Sequence, residues 1–194
     1  MFRIAVAFAL FGSAAAFSAP AVAGRQAVAR ASPRMVTLES LPGKYALGGV
    51  FDPLGLGEKG DVVWLREAEL KHGRVAMLAV VGYIVNDLGI HFPGEQYAGI
   101  SSLAAHDAML KTGNMQQLLY AVIVCEILDS IRVFTAMKDG WPSDYKIGSF
   151  ELDPLNMANE RTRLAEIKNG RLAMFAISGI LTQSALTHGG FPYQ

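Results

Sequence analysis

Apolar positions along this chain fall in long blocks rather than in a two-residue alternation. Three blocks read as helices: roughly Glu69 to Leu88, Leu118 to Met137 and Arg163 to Leu186. The first contains an uncharged stretch from Val75 to Asn86, and no charged residue follows Arg171. About 20 residues of helix span a hydrocarbon layer ~30 Å thick, so the pattern predicts three membrane helices. Each block also carries ionisable groups, and a soluble three-helix bundle is the competing reading. The uncharged C-terminal stretch and the continuous apolar run VAMLAVVGYIV argue against it. Gly and Pro mark the linkers, among them LPGKYALGGVFDPLGLGEKG, IHFPGEQYAG and DGWPSDYKIGSFELDPLN.

The first and third blocks are copies of one another. REAELKHGRVAMLAVVG (66–82) and RLAEIKNGRLAMFAISG (163–179) align at an offset of 97 residues, with 10 of 17 positions identical. Each copy sets a Glu, a His or Asn, and an Arg at i, i+3 and i+5, then enters an apolar run. Charges at the mouth of an apolar helix are costly and call for partners. The duplication supplies them: Glu69 with Arg171 and Glu166 with Arg74, across a pseudo-two-fold axis. FDPLGL (51–56) and ELDPLN (151–156) precede the two copies at similar distances, so the repeat includes an entry turn.

Charge adds a direction. The net charge is zero and charged residues make up 18% of the chain. Residues 1–34, however, hold four Arg and no acid, which leaves the remainder acidic and offers no basic surface for nucleic acid. Arg3, the apolar run Ile4–Phe11 and Ala14–Ala16 read as a signal peptide. The acid-free Ala/Arg/Ser stretch that follows reads as a transit peptide. Residues 1–34 are thus expected to be a bipartite plastid leader, with the mature domain at 35–194 beginning near Met35; a signal peptide with a pro-segment is the alternative. Basic residues flank the outer ends of the blocks, whereas 89–117 holds only Lys111. The N-terminus is therefore expected on the side of insertion, the stroma in a thylakoid. Cys125, the single cysteine, lies in an apolar run and is expected to be a buried, inert thiol.

Helical spacing puts Glu69 and His72 on one face, and Glu166 and Asn169 likewise. Carboxylate, imidazole and amide oxygen can each give one lone pair to a metal, yet no three or four lie close enough in sequence for a closed cage. Single donors suit a metal already held by a macrocycle, such as the magnesium of chlorophyll, which needs one axial ligand. Gly73, Ala76 and Gly82, with Gly170, Ala173 and Gly179, let two helices cross closely and leave room for a flat ring. A purely structural clamp and an ion pathway are the other uses of such charges. No nucleophile–base set and no phosphate loop is visible, so no enzyme is expected.

With these motifs the sequence resembles the light-harvesting chlorophyll-binding family of thylakoid membranes. E-x-x-H-G-R-x-A-M and E-x-x-N-G-R-x-A-M carry the resemblance over about residues 40–190. FDPLGL, HFPG and the leader make it similar to the fucoxanthin or peridinin chlorophyll a/c branch of algae. The resemblance implies an all-α membrane protein of three transmembrane helices, the first and third crossed, binding chlorophyll a, chlorophyll c and a carotenoid. It implies Glu69, His72, Glu166, Asn169 and Gln183 as axial ligands and Arg74 and Arg171 as ion-pair partners. On the middle helix it leaves Glu126 and Asp129 both open. His91, His106 and His188 are expected at the surface. The implied role is an antenna working among thylakoid lipids, other antenna subunits and a photosystem I or II core. A photoprotective quencher of the same fold is the nearest alternative.

Overall fold

The computed structural model describes residues 36–44, 49–149 and 157–192, which all belong to one compact unit. The expected leader and the ELDPLN turn lie outside the described residues. Five α-helices are present and no strand occurs among the described residues: α1 (Leu56–Lys59), α2 (Val62–Asp87), α3 (Ser102–Thr112), α4 (Asn114–Lys138) and α5 (Glu160–Thr187). The three long helices contain the three predicted blocks. Each begins earlier than its apolar block, and two of them start on side-chain caps. Asp61 accepts hydrogen bonds from Val63 N and Trp64 N at the start of α2, 2.9 and 3.2 Å. Asn159 and Thr162 form a reciprocal capping box at the start of α5.

Helix α3 falls in a stretch whose mixed polarity reads as linker. Its signals are local: Ser101 caps it, and Gly113 at φ +82° ends it and opens α4. Its first residue is tied to the end of α2, since Ser102 N donates to Asp87 Oδ1 at 3.2 Å and Ser102 Oγ to Tyr83 O at 2.9 Å.

Helices α2 and α5 cross at Gly73 and Gly170. A Cβ added to Gly73 would lie 3.0 Å from Gly170 Cα, and one on Gly170 3.1 Å from Gly73 Cα, so neither position accepts a side chain without the helices parting. Ala76 and Ala173 are buried beside them. Gly82 and Gly179 do not share this role: an added Cβ at either meets nothing within 4 Å, so they border open space as the helices diverge.

The apolar core is slight. Val63, Val133, Ala136 and Trp141 make one cluster under the α2–α4 contact. Among the described residues no large side chain is fully buried, while Leu78, Phe92, Leu128, Phe134, Leu172, Phe175 and Leu186 are more than 55% exposed. Cys125 is exposed on α4, contrary to the expected buried thiol, because residues 116–128 of that helix are all exposed. No helix among the described residues is long and apolar enough to cross a membrane. Three spanning helices are therefore not carried by hydropathy, which counts each charge at full cost whether or not it is paired.

Candidate functional site

Two ion pairs clamp the α2–α5 crossing. Arg74 Nε donates to Glu166 Oε1 and Arg171 Nε to Glu69 Oε1, each at 2.7 Å. These are the pairs expected from the repeat. The symmetry runs further than the motifs. Arg74 Nη2 also donates to Gly148 O at 2.7 Å, and Arg171 Nη1 to Gly43 O at 2.6 Å. Gly43 and Gly148 both have positive φ, +94° and +71°. A Cβ on Gly43 would press on Ile167, and one on Gly148 would overlap Leu70, which is the repeat equivalent of Ile167. Each arginine therefore ties two helices and a glycine turn. The sequence held no matched signal for these turns, since Gly43 lies nine residues before the first D-P-L triplet and Gly148 five before the second. Their offset is 105 rather than 97, which hid them from the alignment.

The engaged carboxylates retain donor capacity. Glu166 uses Oε1 for Arg74, and Oε2 has no partner among the described residues. It borders a cleft of about 1040 Å³ between the first turns of α2 and α5 and residues 143–149. Glu69 is shared: Oε1 receives Arg171, and Oε2 lies 3.1 Å from Arg66 Nη1. That contact is an ion pair by distance only, for Arg66 Nη1 is buried with no hydrogen bond of acceptable angle. His72 is exposed, and its Nδ1 lies 2.8 Å from Ala68 O. A carbonyl can only accept, so Nδ1 carries the proton and the Nε2 lone pair faces outward, as in a neutral ligating imidazole. Asn169, at the equivalent point of α5, is exposed. Gln183 is exposed near the far end of α5.

The middle helix separates its two candidates. Asp129 is buried and committed: Oδ2 lies 2.7 Å from Lys71 Nζ, and Oδ1 accepts from Arg132 Nε and Nη2 at 3.2 and 2.9 Å. Glu126 is half exposed and among the described residues pairs with Lys71 alone, through Oε2 at 2.8 Å. It lines an apolar groove of about 720 Å³ along α4 with Val122, Ile123, Ile127, Ile131 and Phe134. His91 and His188 are exposed, and His106, on α3 rather than in a loop, is exposed beside Asp107.

Glu67 is absent from the sequence candidates, yet it is the most fully bonded side chain near the crossing. Buried at the start of α2, it accepts from Tyr145 OH at 2.6 Å, Gly148 N at 2.8 Å, and Arg132 Nη1 and Nη2 at 3.4 and 3.2 Å. It docks α4 and the 145–148 turn onto α2. Burial, followed by the bond to Glu67, pushes the Tyr145 phenol well above its ordinary value, so it stays a donor. The repeat could not reveal Glu67, because α5 has Leu164 at that position.

This constellation, a pair of crossed helices clamped by mutual Glu–Arg bonds with single outward donors one turn apart, defines a scaffold that presents separate ligands rather than a catalytic centre. The pattern of the chlorophyll A-B binding protein family matches residues 35–185, and the chain belongs to that family. It is 35% identical, over 97% of its length and 90% of the relative's, to a fucoxanthin-chlorophyll a-c binding protein, chloroplastic, of Chattonella marina var. antiqua. It is 33% identical to fucoxanthin-chlorophyll a-c binding protein D, chloroplastic, of Phaeodactylum tricornutum, over 95% of this chain and 96% of that one. A relative in Trieres chinensis, also named as a fucoxanthin-chlorophyll a-c binding protein, is 34% identical over 95% of each.

Proposed function

We propose that this protein is a light-harvesting antenna of the plastid thylakoid, binding chlorophyll a, chlorophyll c and a fucoxanthin-type carotenoid. The observation that carries the reading is the clamp itself. It neutralises four charges and still leaves a free donor at Glu166 Oε2 and, three residues after the clamp glutamate of the other copy, at His72 Nε2. These residues fit a metal that takes one axial ligand. Glu69, His72, Glu166, Asn169 and Gln183 would each hold one chlorophyll magnesium, with Glu126 rather than Asp129 as the donor of α4, because Asp129 is buried while Glu126 is half exposed. Bound chlorophyll supplies light absorption and excitation transfer, and the chain sets spacing and orientation.

Three membrane spans, α2, α4 and α5, belong to the same proposal. Pairing across the crossing supports it, since compensated charges cost far less in lipid than their hydropathy suggests. So does the exposed apolar side of α4, which needs lipid or pigment cover. Residues 1–34 would be the plastid leader, and the family match beginning at residue 35 supports that boundary. Thylakoid lipids, further antenna subunits and a photosystem core are the expected neighbours.

The test is isolation of the native protein from thylakoids, with pigment analysis and a chlorophyll a fluorescence excitation spectrum. Chlorophyll c and carotenoid bands in that spectrum are expected. A colourless protein, or pigments that fail to sensitise chlorophyll a, would overturn the assignment.

A further inference from the structure

The repeat continues past the aligned motif. Gln183 lies 97 residues after Asn86, so the amide at the far end of α5 has an amide counterpart at the far end of α2. Gly179 precedes Gln183 by four residues, and Gly82 precedes Asn86 by four. Four residues is about one helical turn, so in each helix a glycine lies on the face of the amide. Both glycines border open space, where a methyl group in place of the hydrogen would meet nothing within 4 Å. Both amides stand 17 residues beyond the clamp glutamate of their helix, a rise of ~25 Å.

We propose, on the basis of the antenna reading, that Asn86 is a further axial chlorophyll ligand, the α2 partner of Gln183 at the far end of the crossing. The hydrogen bonds define which atom faces out. Asn86 Nδ2 donates to Ile100 O at 3.1 Å and to Ser102 Oγ at 3.0 Å. Ile100 O can only accept. Ser102 Oγ gives its own proton to Tyr83 O at 2.9 Å and so accepts from Asn86. The amide is thereby fixed with nitrogen toward the start of α3 and oxygen away from it. Oδ1 has no partner among the described residues. Among the described residues the buried side-chain atoms left unpaired are Arg66 Nη1 and Asp87 Oδ2, so Asn86 Oδ1 reaches the surface. A polarised, oriented, accessible amide oxygen suits a hard cation that lacks one ligand. An amide is also among the least costly donors at that depth, since it brings no charge. Asn86 is better prepared than Gln183, which is exposed and whose amide is oriented by no hydrogen bond among the described residues.

The rival role for Asn86 is to pin α3 alone. Reconstitution of the full mature chain with chlorophyll a, chlorophyll c and carotenoid, with pigments counted per chain and helicity followed by far-ultraviolet circular dichroism, separates the two. Asn86→Leu should lose about one chlorophyll with helicity unchanged, and Asn86→Leu with Gln183→Leu about two. Asn86→His offers a ring nitrogen lone pair but cannot donate to both Ile100 O and Ser102 Oγ, and it should keep the wild-type count. A full count in Asn86→Leu would overturn the proposal. So would equal loss in Asn86→Leu and Asn86→His, which assigns the residue to pinning. Wild-type chain that takes up no chlorophyll would overturn the antenna reading itself.

Discussion

Helices α2 and α5 are two copies of one design put to different use. Both give a Glu and an Arg to the clamp, both close on a glycine turn, and both cross at a glycine. Their outer faces differ. Where α2 has Glu67, α5 has Leu164. Where Lys71 bridges to Glu126 and Asp129 of α4, the equivalent Lys168 is exposed. One buried acid thus converts a symmetric pair into an asymmetric bundle, because it gives Arg132 and the 145–148 turn a place to dock on α2 alone. Symmetry resides in the contact between the copies, and departure from it resides in single substitutions on faces that the crossing leaves alone.

The clamp offers the sharpest test of the symmetric half. Arg74→Ala and Arg171→Ala should each cost roughly 3 kcal/mol and prevent stable pigmented folding, since each removes two charge-assisted bonds and strands a carboxylate. Equal losses in reconstitution yield and melting temperature are expected. A large loss from only one would show that the copies do not share the load. Glu67→Leu, which gives α2 the residue of α5, tests the asymmetric half. It removes the acceptor of Tyr145 OH and Gly148 N and leaves the half-buried Arg132 with Asp129 and Tyr145, and the melting temperature should fall by an amount equivalent to about 2–3 kcal/mol. Unchanged melting would mean that α4 is held by something other than Glu67.

Gly73→Ala and Gly170→Ala probe the contact between the copies. The added methyl must displace backbone 3.0–3.1 Å away, a cost of about 1–3 kcal/mol, similar for the two. Thermal denaturation of reconstituted protein reads it, and a neutral effect of either would place the crossing elsewhere. His72→Leu should cost little stability but about one chlorophyll per chain, while His72→Asn, which copies α5, should keep it. A full pigment count in His72→Leu would return the imidazole to a structural role. The smallest effect concerns Asp52 in the FDPLGL turn. Backbone N–H groups of Gly57 and Leu56 hold its carboxyl below the ordinary aspartate range. A depressed carboxylate stabilises above its unfolded value and loses that contribution as pH falls through the folded one. The protection factors of the Leu56 and Gly57 amides should therefore fall only in strong acid; a fall already near neutrality would contradict this.

Much of the bundle was legible because its signals are local or repeated. Apolar blocks located the three long helices, and the 97-residue offset named both ion pairs before any geometry. The misses share a cause: each depends on one element meeting another that is not its copy. Glu67 and Lys71 read as ordinary polar residues of a first turn until α4 lies beside them. Cys125 reads as buried from its apolar neighbours, but α4 faces outward there. Asp129 and Glu126 sit one turn apart with the same chemistry, and only the reach of Lys71 and Arg132 tells them apart. Helix α3 carried a serine cap and a glycine stop, but its mixed polarity placed it among the linkers.

The thin core has a consequence for the life of the molecule. With no large side chain fully buried among the described residues, this polypeptide resembles a hull more than a solid. When bound molecules supply most of the interior, the folded fraction follows their concentration by mass action. Chains made faster than pigment would remain unfilled, with long apolar flanks open to proteases and to one another. The amount of antenna a plastid holds would then be metered by pigment synthesis, with no separate sensor needed.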